Sequence, residues 1–220
     1  MLIVDAVVET VATADFSLWP VALPPPDRLL ALSHRMSPAE VGTALATLVD
    51  YNSRPSTGER PVADAGEQLH RLLQREKLIA PGGLRLRDTD IDVTVRPGCC
   101  CGLEDWREWL GLLEGDVPWL GHDPSPAVEV AESVVRLWPD GGNEEGAASG
   151  PCLEIPVGDL GRILHTVHDE LQGFLSLTEQ WAACRVPSLA TDLVARLGED
   201  LAIGSPLPGS GDPRRASCER

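Results

Sequence analysis

The feature that most constrains the fold is a long apolar stripe near the carboxyl end. Leu160, Ile163, Leu164, Val167, Leu171, Phe174, Leu175 and Trp181 recur at spacings of three and four. That period keeps them on one face of a helix for about six turns. A face this wide has to be covered by another layer of the same molecule. A further helix, from about Ser188 to Ala202, supplies a shorter stripe of Leu189, Leu193, Val194, Leu197 and Leu201.

Two more helices are legible from their starts. Ser37-Pro38-Ala39-Glu40 places a capping hydroxyl, a proline suited to the first helical position and a glutamate that closes a capping box. The apolar residues from Val41 to Val49 then hold one face of a helix predicted from Pro38 to Tyr51. Asp64 repeats the capping logic before Leu69, Leu72 and Leu73, and Ala80-Pro81-Gly82-Gly83 stops the chain.

Between these helical parts lie strand signals. Leu84 to Arg87 and Ile91 to Arg96 flank Asp88-Thr89-Asp90 and read as a hairpin. The segment Ala127 to Trp138 reads as two strands about Glu132-Ser133, β-branched content outweighing a competing helical spacing. Cys152 to Val157 reads as a short strand, and Leu2 to Ala12 as a strand or short helix followed by an irregular connection through Pro24-Pro25-Pro26. The expected fold is α+β: a small, mainly antiparallel sheet covered by helices, with a helical amino-terminal part and two long carboxyl-terminal helices. One domain is expected over residues 1–203, with a weak subdivision near Pro81. Pro139 to Pro151 is expected to be a flexible loop and residues 204–220 a disordered tail.

Charge narrows the partners. The formal net charge is -16, and residues 102–203 carry 19 acids against 5 bases, net -14. Such a field repels nucleic-acid phosphate and speeds encounters with basic partners. A helix followed by a hairpin invites a winged-helix, nucleic-acid-binding interpretation, but Glu67, Glu76, Asp88, Asp90 and Asp92 offset the local arginines. No stretch approaches the length of a membrane span, and the first residues lack the basic start of a signal peptide. A cytoplasmic bacterial protein without nucleic-acid or membrane partners is the expectation.

The chemistry-bearing residues cluster in two places. Cys99-Cys100-Cys101, between Gly98 and Gly102, lie where a strand ends and a helix begins. A thiolate at that helix start, on Cys101, would be reactive, yet Glu104 and Asp105 in the first turn raise a neighbouring thiol's pKa. Cys99 and Cys101 form a C-x-C pair that with His122 or Cys152 would bind zinc or copper, although the usual C-x₂-C knuckles are absent. The expectation favoured by these arguments is that small thiols pack beneath the sheet, with neither metal nor catalysis required.

The second place is Pro118 to Pro126, where Trp119, His122 and Asp123 offer an anchor, an acid or base and a carboxylate to orient it. His165 and Asp169 fall on the side away from the stripe and His168 on its flank, a group expected to form a solvated polar face. Six tryptophans against one tyrosine and two phenylalanines is an unusual balance, with at least four expected in the core. Trp106, Trp109 and Trp119 stand near Glu104, Asp105 and Glu108, a combination suited to binding a basic partner. No phosphate loop, dinucleotide fingerprint, zinc-protease helix or serine elbow is present. The leading expectation is an acidic interaction protein of the immunity or antitoxin-inhibitor kind, binding through Glu104, Asp105, Trp106, Glu108, Trp109 and Trp119. The alternative is a thiol- or metal-dependent enzyme or sensor using the Cys99-Cys101 cluster.

Overall fold

The computed structural model describes residues 1–10, 16–53, 64–141 and 150–208. The long apolar stripe forms α3, Val157–Arg185, which buries Leu160, Leu164, Val167, Leu171, Phe174 and Trp181 along one side. Two antiparallel sheets accompany the helices, so the fold is α+β. The first sheet has the order β2-β1-β3-β4, from strands Leu2–Glu9 (β1), Leu29–Ala31 (β2), Gly82–Asp88 (β3) and Val93–Val95 (β4). The second is a meander of β5 (Ala127–Val130), β6 (Val134–Trp138) and β7 (Leu153–Pro156).

Of the two alternatives for the first segment, the strand is the one formed. β1 is a central strand, paired antiparallel with β3 from Leu2↔Asp88 to Val8↔Gly82 and with β2 on its other edge. Pairing across Pro81 is therefore extensive, and one hydrophobic cluster runs from Ala6 to Leu207. β2 lies just beyond the connection through Pro26, where no element was expected; only three residues long, it carries no alternation that a sequence pattern could register. Arg85 ties this sheet to the loop before β2, bonding the carboxylates of Asp5 (2.9 Å) and Asp27 (3.0 Å).

The helix starts follow the capping chemistry. In α1, Pro38–Asn52, the Ser37 hydroxyl accepts from the Glu40 N–H while the Glu40 carboxylate accepts from the Ser37 N–H, a complete capping box. α2, Ala65–Leu73, begins with the Asp64 carboxylate accepting from the Glu67 N–H. β5 and β6 confirm two strands over Ala127 to Trp138, turning at 131–133. In β6 and β7, Val135, Leu137, Leu153 and Ile155 face the core, while Arg136 on the other face bonds Glu129 and Glu154.

The segment after the cysteines is a 3₁₀ helix, Leu103–Leu113. With three residues per turn, side chains three apart stack in line. Leu103, Trp106, Trp109 and Leu112 are accordingly the buried row, and Leu113 is 48% exposed. An α-helical wheel misplaces Leu113 because it advances 3.6 residues per turn.

Three contacts from this helix and α3 hold the end of the described chain. The Trp106 Nε1–H donates to the Leu201 carbonyl (2.9 Å), and Arg107 bonds the carbonyls of Ala202 (2.6 Å), Ser205 and Pro206. His168, 5% exposed and stacked on Trp106, donates from Nε2 to the Ile203 carbonyl (2.8 Å). His168 thus belongs to the core side of α3 and not to a solvated face, because the terminal segment folds back over it. Residues 204–208 are part of the fold, with Leu207 buried, which corrects a disordered tail beginning at 204. That segment follows α4, Ala190–Asp200. The remainder of that expected tail, most of the Pro139 to Pro151 loop and the end of the first segment at Ala12 lie outside the described residues.

Candidate functional site

Two loops meet to build the candidate site. The loop leaving β4 (97–102) and the loop between the 3₁₀ helix and β5 (118–126) join through an isolated antiparallel bridge of Cys99 and His122. The Cys99 N–H donates to the His122 carbonyl (2.6 Å), the His122 N–H to the Cys99 carbonyl (3.2 Å) and the Gly98 N–H to the Leu120 carbonyl (2.8 Å). Contact this close requires glycine on both sides. A Cβ on Gly98 would sit 2.3 Å from the Pro124 carbonyl oxygen and 2.6 Å from the His122 nitrogen. Gly121, at φ +84°, faces the Cys99 carbonyl at 2.5 Å in the same way.

This bridge places three soft or borderline ligands at one exposed corner. The Cys99 Sγ lies 2.7 Å from His122 Nδ1, 3.6 Å from His122 Nε2 and 3.9 Å from Cys100 Sγ. One ligand atom from each of Cys99, Cys100 and His122 falls within 4.8 Å of the others. Zinc bonds of about 2.3 Å to sulfur and about 2.0–2.1 Å to nitrogen, at tetrahedral angles, give edges of about 3.8 Å between sulfurs and about 3.5 Å between sulfur and nitrogen. The 3.9 Å sulfur–sulfur separation matches that edge, and the two imidazole nitrogens, 2.7 Å and 3.6 Å from Cys99 Sγ, bracket the sulfur–nitrogen edge. His122 Nδ1 also stands 3.5 Å from the Asp123 carboxylate, which lies at the solvent.

The expected packing of all three thiols beneath the sheet does not hold, because Cys99 and Cys100 are exposed. Cys100 adopts φ +65°, which turns the chain so that consecutive residues present their sulfurs together. Cys101 points elsewhere: its thiol donates to the Trp119 carbonyl (3.6 Å), and burial pushes its pKa up to about 11. The sequence-derived pair Cys99 and Cys101 is thus replaced by Cys99 and Cys100. Cys152 is not part of the cluster. An αL residue between two cysteines reverses the expectation from C-x-C spacing, and only the backbone conformation reveals it.

Electrostatics separate the two chemistries open to such a corner. Desolvation first, then Cys100, Asp123 and Glu9, push the Cys99 thiol above its ordinary pKa. That is the wrong direction for a free nucleophilic thiolate. The same carboxylates favour a bound cation, whose own charge would deprotonate the thiols.

The expected partner-binding residues divide. Trp106 and Trp109 are 1% and 4% exposed, core side chains with no surface to offer a partner. Glu104 is half-buried and accepts from the Ala80 N–H (3.0 Å), and burial raises its carboxyl pKa. Asp105 and Glu108 are exposed, and Trp119 is 64% exposed.

The geometry defines an α+β protein with an exposed two-cysteine, one-histidine corner. No protein-family model matches the chain, and neither curated proteins nor solved structures supply a match. No helix among the described residues is long and apolar enough to cross a membrane.

Proposed function

We propose that this protein binds a soft metal ion, zinc or copper(I), through Cys99, Cys100 and His122, and serves as a thiol- and metal-dependent sensor. The observation that carries this reading is the convergence of one ligand atom from each of Cys99, Cys100 and His122 within 4.8 Å of one another at an exposed corner. Three protein ligands leave one position open, the pattern of responsive and catalytic sites more than of closed structural ones. Asp123 is placed to hold His122 in orientation. A reducing compartment, the cytoplasm, keeps both thiols available.

The test is titration of the reduced chain with zinc(II) and, without oxygen, with copper(I), followed by native mass spectrometry. One ion per chain is expected, lost in Cys99→Ser and in His122→Ala and retained in Cys101→Ser. Binding that survives both of the first two substitutions refutes the assignment.

A second reading, an acidic interaction protein of the immunity or antitoxin kind with a basic partner, is supported by Trp119. A tryptophan 64% exposed, in a chain that also exposes Asp105 and Glu108, suits an interface anchor. It requires a complex that separates at high salt and is weakened by Trp119→Ala. A complex unaffected by salt and by that substitution rules this reading out.

A further inference from the structure

A cleft of about 360 Å³ opens between the start of α1 and the last turns of α3. Its walls are Met36, Val41, Leu177 and Trp181, with Cys184 and Arg185 also lining it. A volume in this range, apolar walls and a few polar groups are the ordinary make-up of a small-molecule site.

Two features say what such a molecule carries. The Arg185 guanidinium lies over the Trp181 ring, 5.5 Å from its centroid, and forms no ion pair among the described residues. In a chain of net charge -16, a cation left over an apolar wall complements an anion brought in by a ligand. Trp181 itself is buried, and its Nε1–H has no acceptor among the described residues. That atom has almost no accessible surface, so what Trp181 offers an occupant of the cleft is the apolar surface of its indole and not the N–H.

We infer that this cleft binds a small apolar carboxylate, a medium-chain aliphatic or aromatic acid. Its carboxylate pairs with Arg185, and its body lies against Met36, Val41, Leu177 and Trp181. The site is independent of the Cys99, Cys100 and His122 corner and stands whether or not that corner holds a metal.

Cys184 makes the cleft measurable, because its thiol is exposed and lines the cavity. The full chain is titrated with octanoate and with octan-1-ol by calorimetry, and alkylation of each cysteine is followed by peptide mass spectrometry. Octanoate is expected to bind about tenfold more tightly than the alcohol, the scale of one charge-assisted contact. Saturating octanoate should slow Cys184 alkylation at least about fivefold and leave Cys99 and Cys100 unchanged. Arg185→Gln, a substitution at an exposed position, should erase the preference for octanoate and leave octanol binding intact. Equal affinities for acid and alcohol, unprotected Cys184, or a preference that survives Arg185→Gln would overturn the inference. Protection produced by raising protein concentration alone would assign the cleft to a second copy of the chain and overturn it equally.

Discussion

Gly98→Ala tests the coupling of fold to site most directly. The new Cβ would lie 2.3 Å from the Pro124 carbonyl oxygen, 2.6 Å from the His122 nitrogen and 2.8 Å from the Gly121 carbonyl carbon, all backbone atoms that no rotamer change can move. Restoring ordinary contact means parting the two loops by about 1 Å. The Cys99 and His122 bridge bonds, now 2.6 Å and 3.2 Å, would then exceed hydrogen-bonding range. Two such bonds at about 1 kcal/mol each, with an overpacking cost of about 1–3 kcal/mol, give a destabilisation of about 3–5 kcal/mol. In a chain of this size that lowers Tm by roughly 6–20 °C. The ligand atoms separate with the loops, so metal affinity should fall at least about a hundredfold. The control is Gly161→Ala in α3, where a Cβ meets nothing within 4 Å and helix propensity should stabilise by about 0.5–1 kcal/mol. Thermal unfolding and metal titration of both variants decide the matter. A Gly98→Ala protein with unchanged Tm and unchanged metal affinity would refute the tight bridge and the site built on it.

Three further outcomes follow from the contacts. Burial holds the Glu104 carboxyl above its ordinary pKa, so the native state binds this proton more tightly than the unfolded chain, and its contribution to stability declines as pH rises past the unfolded value of 4.5. Glu104→Gln, which keeps an acceptor for the Ala80 N–H, should therefore gain stability relative to the parent from pH 4 to pH 7, as urea unfolding at several pH values will record. Trp106→Phe removes the donor to the buried Leu201 carbonyl and should cost about 1–3 kcal/mol, with earlier proteolytic cleavage after Leu201. With a pKa of about 11, the Cys101 thiol is only about one part in a thousand ionised at pH 8, so its alkylation should lag and accelerate steadily to pH 10; a rate that levels off below pH 9 contradicts its burial.

Local chemistry was enough for the elements whose signals are local. The capping box at Ser37 and Glu40, the Asp64 cap, the alternation about Glu132-Ser133 and the stripe of α3 each correspond to an observed element. The row Leu103, Trp106, Trp109 and Leu112 was also written in the chain, but reading it required a period of 3 in place of 3.6. β2 carried no such signal, since three residues cannot display a period.

The candidate site was legible only in its ingredients. The sequence by itself determined that soft ligands, two glycines and a histidine-bearing proline loop exist, and that acids surround them. Tertiary structure alone decided which thiols meet His122, because that depends on the positive φ of Cys100 and on two loops 23 residues apart closing through Gly98 and Gly121. It likewise decided that His168 is interior, since the folded-back segment after Leu201 covers what a helix wheel leaves open. Helices and hairpins follow from bonds between near neighbours, which a sequence displays directly; a site assembled by loops depends on distant backbone geometry, which it does not.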